Sequence, residues 1–177
     1  ISYRDYYVGG SYLNSLIIPS TVALAVPFYK NLHLMRHHCK SILIGSTVAC
    51  ILNTTYTALI AKLFGMDYFL AIFPKSVTTA MAVGISEKMQ GITTVTLVVV
   101  VITGILTSVL GPVFLKMIGI KDPVAIGLSL GGTGHAVGTG TAFRYGQVAG
   151  AMGGLSIAVT GILYVFISPI VASLILR

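Results

Sequence analysis

Long uncharged runs decide what this chain can become. No Asp, Glu, Lys or Arg lies within Tyr6–Tyr29, Ser41–Ala61, Met89–Leu115, Pro123–Phe143 or Tyr145–Leu176. Each run reaches the roughly 20 residues that a helix needs to cross a bilayer. A sixth stretch, Asp67–Phe73 with Ser76–Ser86, is interrupted by Pro74 and Lys75. Only 8% of the 177 residues are charged, and mean hydropathy is +0.95. A soluble domain carries about 25% charged residues. The expected fold class is an all-α integral membrane protein with about six transmembrane helices in a single membrane domain, residues 1–177.

The formal charge of +7 fits that reading without nucleic acid. Its densest cluster, Lys30 to Lys40, holds Lys30, Arg36 and Lys40 beside His33, His37 and His38. Such loops mark the cytoplasmic side. The three histidines lack a second set of ligands, so a solvated loop is expected there rather than a metal site. Cys39 and Cys50 form no disulfide framework. No zinc motif, catalytic triad or phosphate loop is present, so neither an enzyme nor a bound cofactor or metal is expected. The chain starts at Ile1 without methionine or a signal peptide, so a missing or processed N-terminus is expected. Tyr3, Tyr6 and Tyr7 read as interfacial anchors ahead of the first span.

Several spans are poor helices. Gly131-Gly-Thr-Gly-His-Ala-Val-Gly-Thr-Gly-Thr-Ala142 places five glycines, three threonines and His135 inside an apolar run. Glycine loosens the helix, and hydrocarbon penalises the polar groups. Irregular backbone at membrane depth survives only where protein buries it or where it lines a wet cavity. Pro74-Lys-Ser-Val-Thr-Thr79 is a second such interruption, and Pro19 with Pro27 would break or kink the first span. Asn53, Thr54 and Thr55 are expected to bond across to neighbouring helices. Gly146, Gly150 and Gly154 are expected to permit close helix packing.

The interruptions recur. Thr103-Gly-Ile-Leu106 returns as Thr160-Gly-Ile-Leu163 and Pro112 as Pro169, both 57 residues on. The same offset lays Ser76-Val-Thr-Thr79 over Thr133-Gly-His-Ala136. A weaker copy starts at Pro19, giving repeat units of about 19–67, 74–122 and 131–177. Each unit joins an interrupted segment to a long helix, and both parts are expected to cross. Paired Gly/Pro-broken spans point to the midplane site of a secondary transporter.

A broken helix frees backbone N–H groups and a positive dipole end. Two such ends suit a small organic anion. The candidate substrate-binding residues are Lys75, Ser76, Thr78, Thr79, Thr133, Gly134, His135 and Thr139. Lys75 would supply the positive charge; alternatively it snorkels to an interface and fixes the helix in register. His135 could carry a coupling proton, or stand neutral against a backbone carbonyl. Glu87 and Arg144 read as membrane-border charges.

Pro74-Lys-Ser-Val-Thr-Thr79, the Lys121-Asp-Pro123 loop, Leu130-Gly-Gly-Thr-Gly-His-Ala-Val-Gly-Thr139 and Pro19-Ser-Thr-Val-Ala-Leu-Ala-Val-Pro-Phe-Tyr-Lys30 resemble the LrgB/CidB family of bacterial membrane proteins, across essentially the whole chain. Members are usually longer at the N-terminus, so the resemblance implies that leading spans are absent here. It implies a multi-pass protein of the bacterial plasma membrane, forming homo- or hetero-oligomers with an LrgA/CidA-type holin-like partner. Two functions follow from it. One is transport of small monocarboxylates of the pyruvate, glycolate/glycerate or lactate class, as in the related plastidial glycolate/glycerate translocator. The other is antiholin-like regulation of murein hydrolase activity and cell lysis. Ala80, Thr141 and Arg144 depart from the residues common in the family.

Overall fold

The computed structural model describes residues 2–16, 19, 22, 25–30, 32–65 and 69–175. Every regular element among them is helical: α1 (Tyr3–Ser15), α2 (Ala25–Lys30), α3 (Leu32–His37), α4 (Cys39–Phe64), α5 (Phe69–Ile72), α6 (Thr79–Lys88), α7 (Thr93–Met117), α8 (Pro123–Ala142) and α9 (Gln147–Ile175). A 3-10 turn, Phe143–Tyr145, joins the last two.

The ends follow local chemistry. Gly65 takes a left-handed conformation (φ 57°) and returns its N–H to the Ala61 carbonyl, which stops α4. Asp122 caps α8 by accepting from the Ala125 N–H at 2.8 Å, with Pro123 at the first helical position. Pro112 and Pro169 lie inside α7 and α9. Long membrane helices absorb prolines because neighbours satisfy the freed carbonyls.

Three of the described helices, α4, α7 and α9, are long and apolar enough to cross a membrane. The interrupted runs take two other forms. Pro123–Ala142 is a 20-residue helix broken at His135. The Pro74 interruption is a buried turn between short helices, α5 and α6. Within the first expected span, residues 17, 18, 20, 21, 23 and 24 lie outside the described residues, and so does part of the start of the repeat copy at Pro19; α1 and α2 cover the ends of that span.

Helix α9 sits at the centre. It packs against α8 most extensively, then α4, and touches α6; α7 covers the other side of α8. A buried cluster of Cys50, Val77, Ala82, Ile85, Val100 and Tyr164 ties α4, α6, α7 and α9 together. Outward residues such as Ile44, Leu52, Val109 and Val113 are exposed, as a lipid-facing surface requires.

Glycines set the α8–α9 contact, though not the expected set. A Cβ at Gly127 would strike the Ala149 carbonyl, and one at Gly131 would strike the backbone of Gly153. The close-packing stripe is therefore Gly127/Gly131 against Ala149/Gly153. By contrast, Gly154 has open space, Gly150 accommodates the Phe143 ring, and Gly146 turns the chain at φ 112°. Thr54 also departs from expectation: its hydroxyl bonds back to the Cys50 and Ile51 carbonyls of its own helix.

Candidate functional site

The first interruption is buried, irregular backbone. After α5 the chain turns through Phe73–Ser76, with the Lys75 N–H on the Ile72 carbonyl (3.2 Å) and the Val77 N–H on the Pro74 carbonyl (3.3 Å). Thr78 is extended and α6 begins at Thr79. Phe73, Pro74, Ser76 and Val77 are buried and Lys75 is half-buried. Protein packing thus shields a non-helical segment that lipid would not tolerate.

Lys75 turns toward α4. Its ammonium donates to the Thr57 hydroxyl and stands 5.8 Å from the centre of the Tyr56 ring. Thr57 donates in turn to the Asn53 carbonyl at 2.7 Å. One turn along, the Asn53 amide donates to the Ser76 hydroxyl (3.3 Å) and to the hydroxyl of Tyr164 on α9. Lys75 has no ion-pair partner among the described residues; its hydrogen-bond acceptor is a neutral hydroxyl. The groups that meet this half-buried cation, a hydroxyl and a ring face, are neutral and leave its charge uncompensated.

The second interruption is a single residue. His135 adopts φ 45° and ψ −129°, in a region that favours glycine. Such a conformation costs on the order of 1–3 kcal/mol unless the surroundings hold it. Here they do: Nε2 lies 3.0 Å from the Val100 carbonyl, and the ring sits over Gly104, where a Cβ would stand 2.9 Å from Cε1. A carbonyl only accepts, so Nε2 carries a proton and donates it to Val100. The bend is sharp. A Cβ at Gly138 would land on the Leu130 carbonyl, although residues eight apart in a straight helix are separated by about 12 Å.

Val100 stands between the two interruptions. Its carbonyl holds His135, and its side chain packs in the cluster containing Val77 and Tyr164. Val100 thus links the His135 break to the cluster that Val77, next to Ser76, joins, while Lys75 reaches to Thr57 and Thr78 is half-buried. Thr139 is buried beside Gly153, on the α9 side of the bend. Gly134 serves packing, because Thr107 occupies the space a side chain would need. Thr79 and Thr133 are exposed and are not drawn in. Thr133 instead edges an apolar cavity of about 520 Å³ formed with Leu106, Leu110, Phe114 and Leu130.

Sequence reasoning missed Thr57 and Tyr164, and it gave Asn53 no place in the site. A signal was available. Ser46, Cys50, Asn53 and Thr57 recur at helical spacing on α4, and Ser156, Thr160, Tyr164 and Ser168 recur every fourth residue on α9. Each series makes one stripe along its helix.

Residues 1–174 match the model of the LrgB-like family. The chain is 38% identical over 173 residues to "Uncharacterized protein YxaC" of Bacillus subtilis (strain 168), covering 97% of this chain and 75% of that protein. It is 32% identical over 170 residues to "Antiholin-like protein LrgB" of Bacillus mycoides (strain KBAB4), covering 95% and 74%. The protein of the same name from Bacillus cereus (strain B4264) is equally similar. No solved structure matches. A whole-length family match and relatives above 30% identity agree with the residue-level resemblance: the chain belongs to the LrgB-like family.

Proposed function

We propose that this protein carries a small monocarboxylate of the pyruvate, glycolate/glycerate or lactate class across the bacterial plasma membrane, together with an LrgA/CidA-type partner. The observation that carries the reading is Lys75: a half-buried cation without an ion-pair partner among the described residues, held by Thr57 at a buried helix break. A carboxylate would take the charge of Lys75 and hydrogen bonds from neighbours such as Asn53 and Tyr164. A metal cation would meet repulsion there.

The paired packing of the repeats supports a carrier architecture with about six crossings. Gly104 and Gly161 hold equivalent places in the two Thr-Gly-Ile-Leu copies. Gly104 receives His135 from the second broken segment, and Gly161 receives Met81 from the first. This exchange is what two repeats related by an approximate symmetry would give.

A second reading rests on the relatives' printed name. Antiholin-like control of murein hydrolase activity and lysis is supported by that name more directly than carriage is. The two separate in vesicles containing the protein, with and without an LrgA-type partner. Carriage predicts saturable uptake of labelled pyruvate, glycolate or lactate that is lost in Lys75→Ala. Size-graded leakage of unrelated solutes contradicts carriage and supports a holin-related pore. The coupling ion is tested in the same vesicles: a pH profile unchanged in His135→Gln removes His135 as the proton carrier.

A further inference from the structure

Buried hydroxyls in this protein are met in different ways, and those of Ser76, Ser86 and Tyr164 bond to side chains on other elements. Thr54, Thr57, Thr96, Thr141 and Ser156 return a hydrogen bond to a carbonyl three or four residues back on their own helix. This is the ordinary way for a membrane helix to satisfy a hydroxyl. Thr139, Thr160 and Ser168 do not: each is at most 2% exposed, and each side-chain oxygen has no hydrogen-bond partner among the described residues.

Two of the three share one stripe of α9. Ser156, Thr160, Tyr164 and Ser168 follow at intervals of four residues, all buried, over about 18 Å of helix. That is more than half of the roughly 30 Å hydrocarbon core. The stripe passes both interruptions. Thr160 faces Gly132 of α8, where a Cβ would stand 3.6 Å from its hydroxyl. Tyr164 meets Asn53 across from Ser76. The next position in the series, Ala172, packs on Phe73 and Ala58 beside the first break. On the same helix, Ile162 and Phe166 point outward and are exposed.

We propose that the inward stripe of α9 is a wet track along which the carried anion moves, with Thr160 and Ser168 on either side of a bar formed by Tyr164 and Asn53. The inference deepens the transport reading and rests on it for the identity of the solute. A hydroxyl withheld from its own helix is free for water or a passing carboxylate. Tyr164 is the large side chain in the series, and its bond to Asn53 closes the track between the two orphan hydroxyls.

The test is cysteine labelling in membrane vesicles of full-length protein carrying Cys39→Ser and Cys50→Ala. Thr160→Cys and Ser168→Cys are compared with Ile162→Cys and Phe166→Cys, using a small anionic methanethiosulfonate. The thiolate is the reacting form and needs water, so the two track positions are expected to react roughly tenfold or more faster than the two outward ones. Added pyruvate slows them, and Tyr164→Phe speeds them. Equal, slow labelling at all four positions overturns the wet track, and no acceleration by Tyr164→Phe overturns the bar. Fast labelling without uptake of any of the three carboxylates keeps the track and removes the transport reading. Thr160→Val and Ser168→Ala give a second readout with native cysteines. In a wet track they leave the melting temperature unchanged or lower it; in dry packing they raise it, which overturns the proposal.

Discussion

The side-chain amide of Asn53 on α4 donates to the hydroxyl of Tyr164 on α9, 111 residues further along the chain. The same amide reaches Ser76, so one residue ties two long helices to the first interruption. Tyr164→Phe keeps the buried ring and removes the bond, and should cost about 1 kcal/mol. Asn53→Ala should cost more, because two hydroxyls lose their donor. Thermal unfolding in detergent measures both, and equal stability of wild type and Tyr164→Phe would contradict the link.

Gly104 exists for the imidazole above it. In Gly104→Ala the new methyl would sit 2.9 Å from Cε1 and 3.1 Å from Nε2 of His135. Overpacking of this kind costs about 1–3 kcal/mol. Gly154→Ala meets nothing within 4 Å and should stay within roughly 0.5 kcal/mol of wild type. Equal melting temperatures for the two variants would remove the packing account.

The bond to Val100 makes a separate prediction. His135→Gln retains an N–H donor for the Val100 carbonyl, whereas His135→Ala removes that bond. The alanine variant should be the less stable of the two by about 1 kcal/mol. Hydrogen exchange at the α7–α8 contact reports the difference, and identical protection in both variants would contradict it.

Gly127→Ala and Gly131→Ala drive a methyl into the backbone of α9, which cannot swing aside as a side chain can. Each should destabilise the α8–α9 pair by about 1–3 kcal/mol or more. Gly140→Ala, with nothing within 4 Å, is the matched control on the same helix. Thermal unfolding ranks the three, and a Gly131→Ala as stable as Gly140→Ala would contradict the contact.

The sequence made the broad architecture legible where its signals were one-dimensional. Uncharged runs marked α4, α7 and α9, and Pro74 and the glycines around His135 marked the two breaks. What stayed hidden was rotational. A run of glycines does not say which of them faces a partner, so Gly146, Gly150 and Gly154 stood out while Gly127 and Gly131 make the contact. Nor does a polar residue near a break say whether its side chain points inward. Ser76 does and Thr79 does not. Asn53 and Tyr164 meet only because α4 and α9 cross there, and their distance in sequence carries no trace of it. The period-four series on α9 could have been read in advance, since a buried face keeps its polar residues in register.

Equilibrium binding of labelled pyruvate to the purified protein tests the central claim most directly, because it reads the Lys75 site without requiring a partner or a gradient. The account predicts one saturable site, competed by glycolate and lactate, abolished in Lys75→Ala and preserved in Lys116→Ala, whose side chain is exposed on α7. Binding that is absent from the wild-type protein, or that survives Lys75→Ala unchanged, would contradict it.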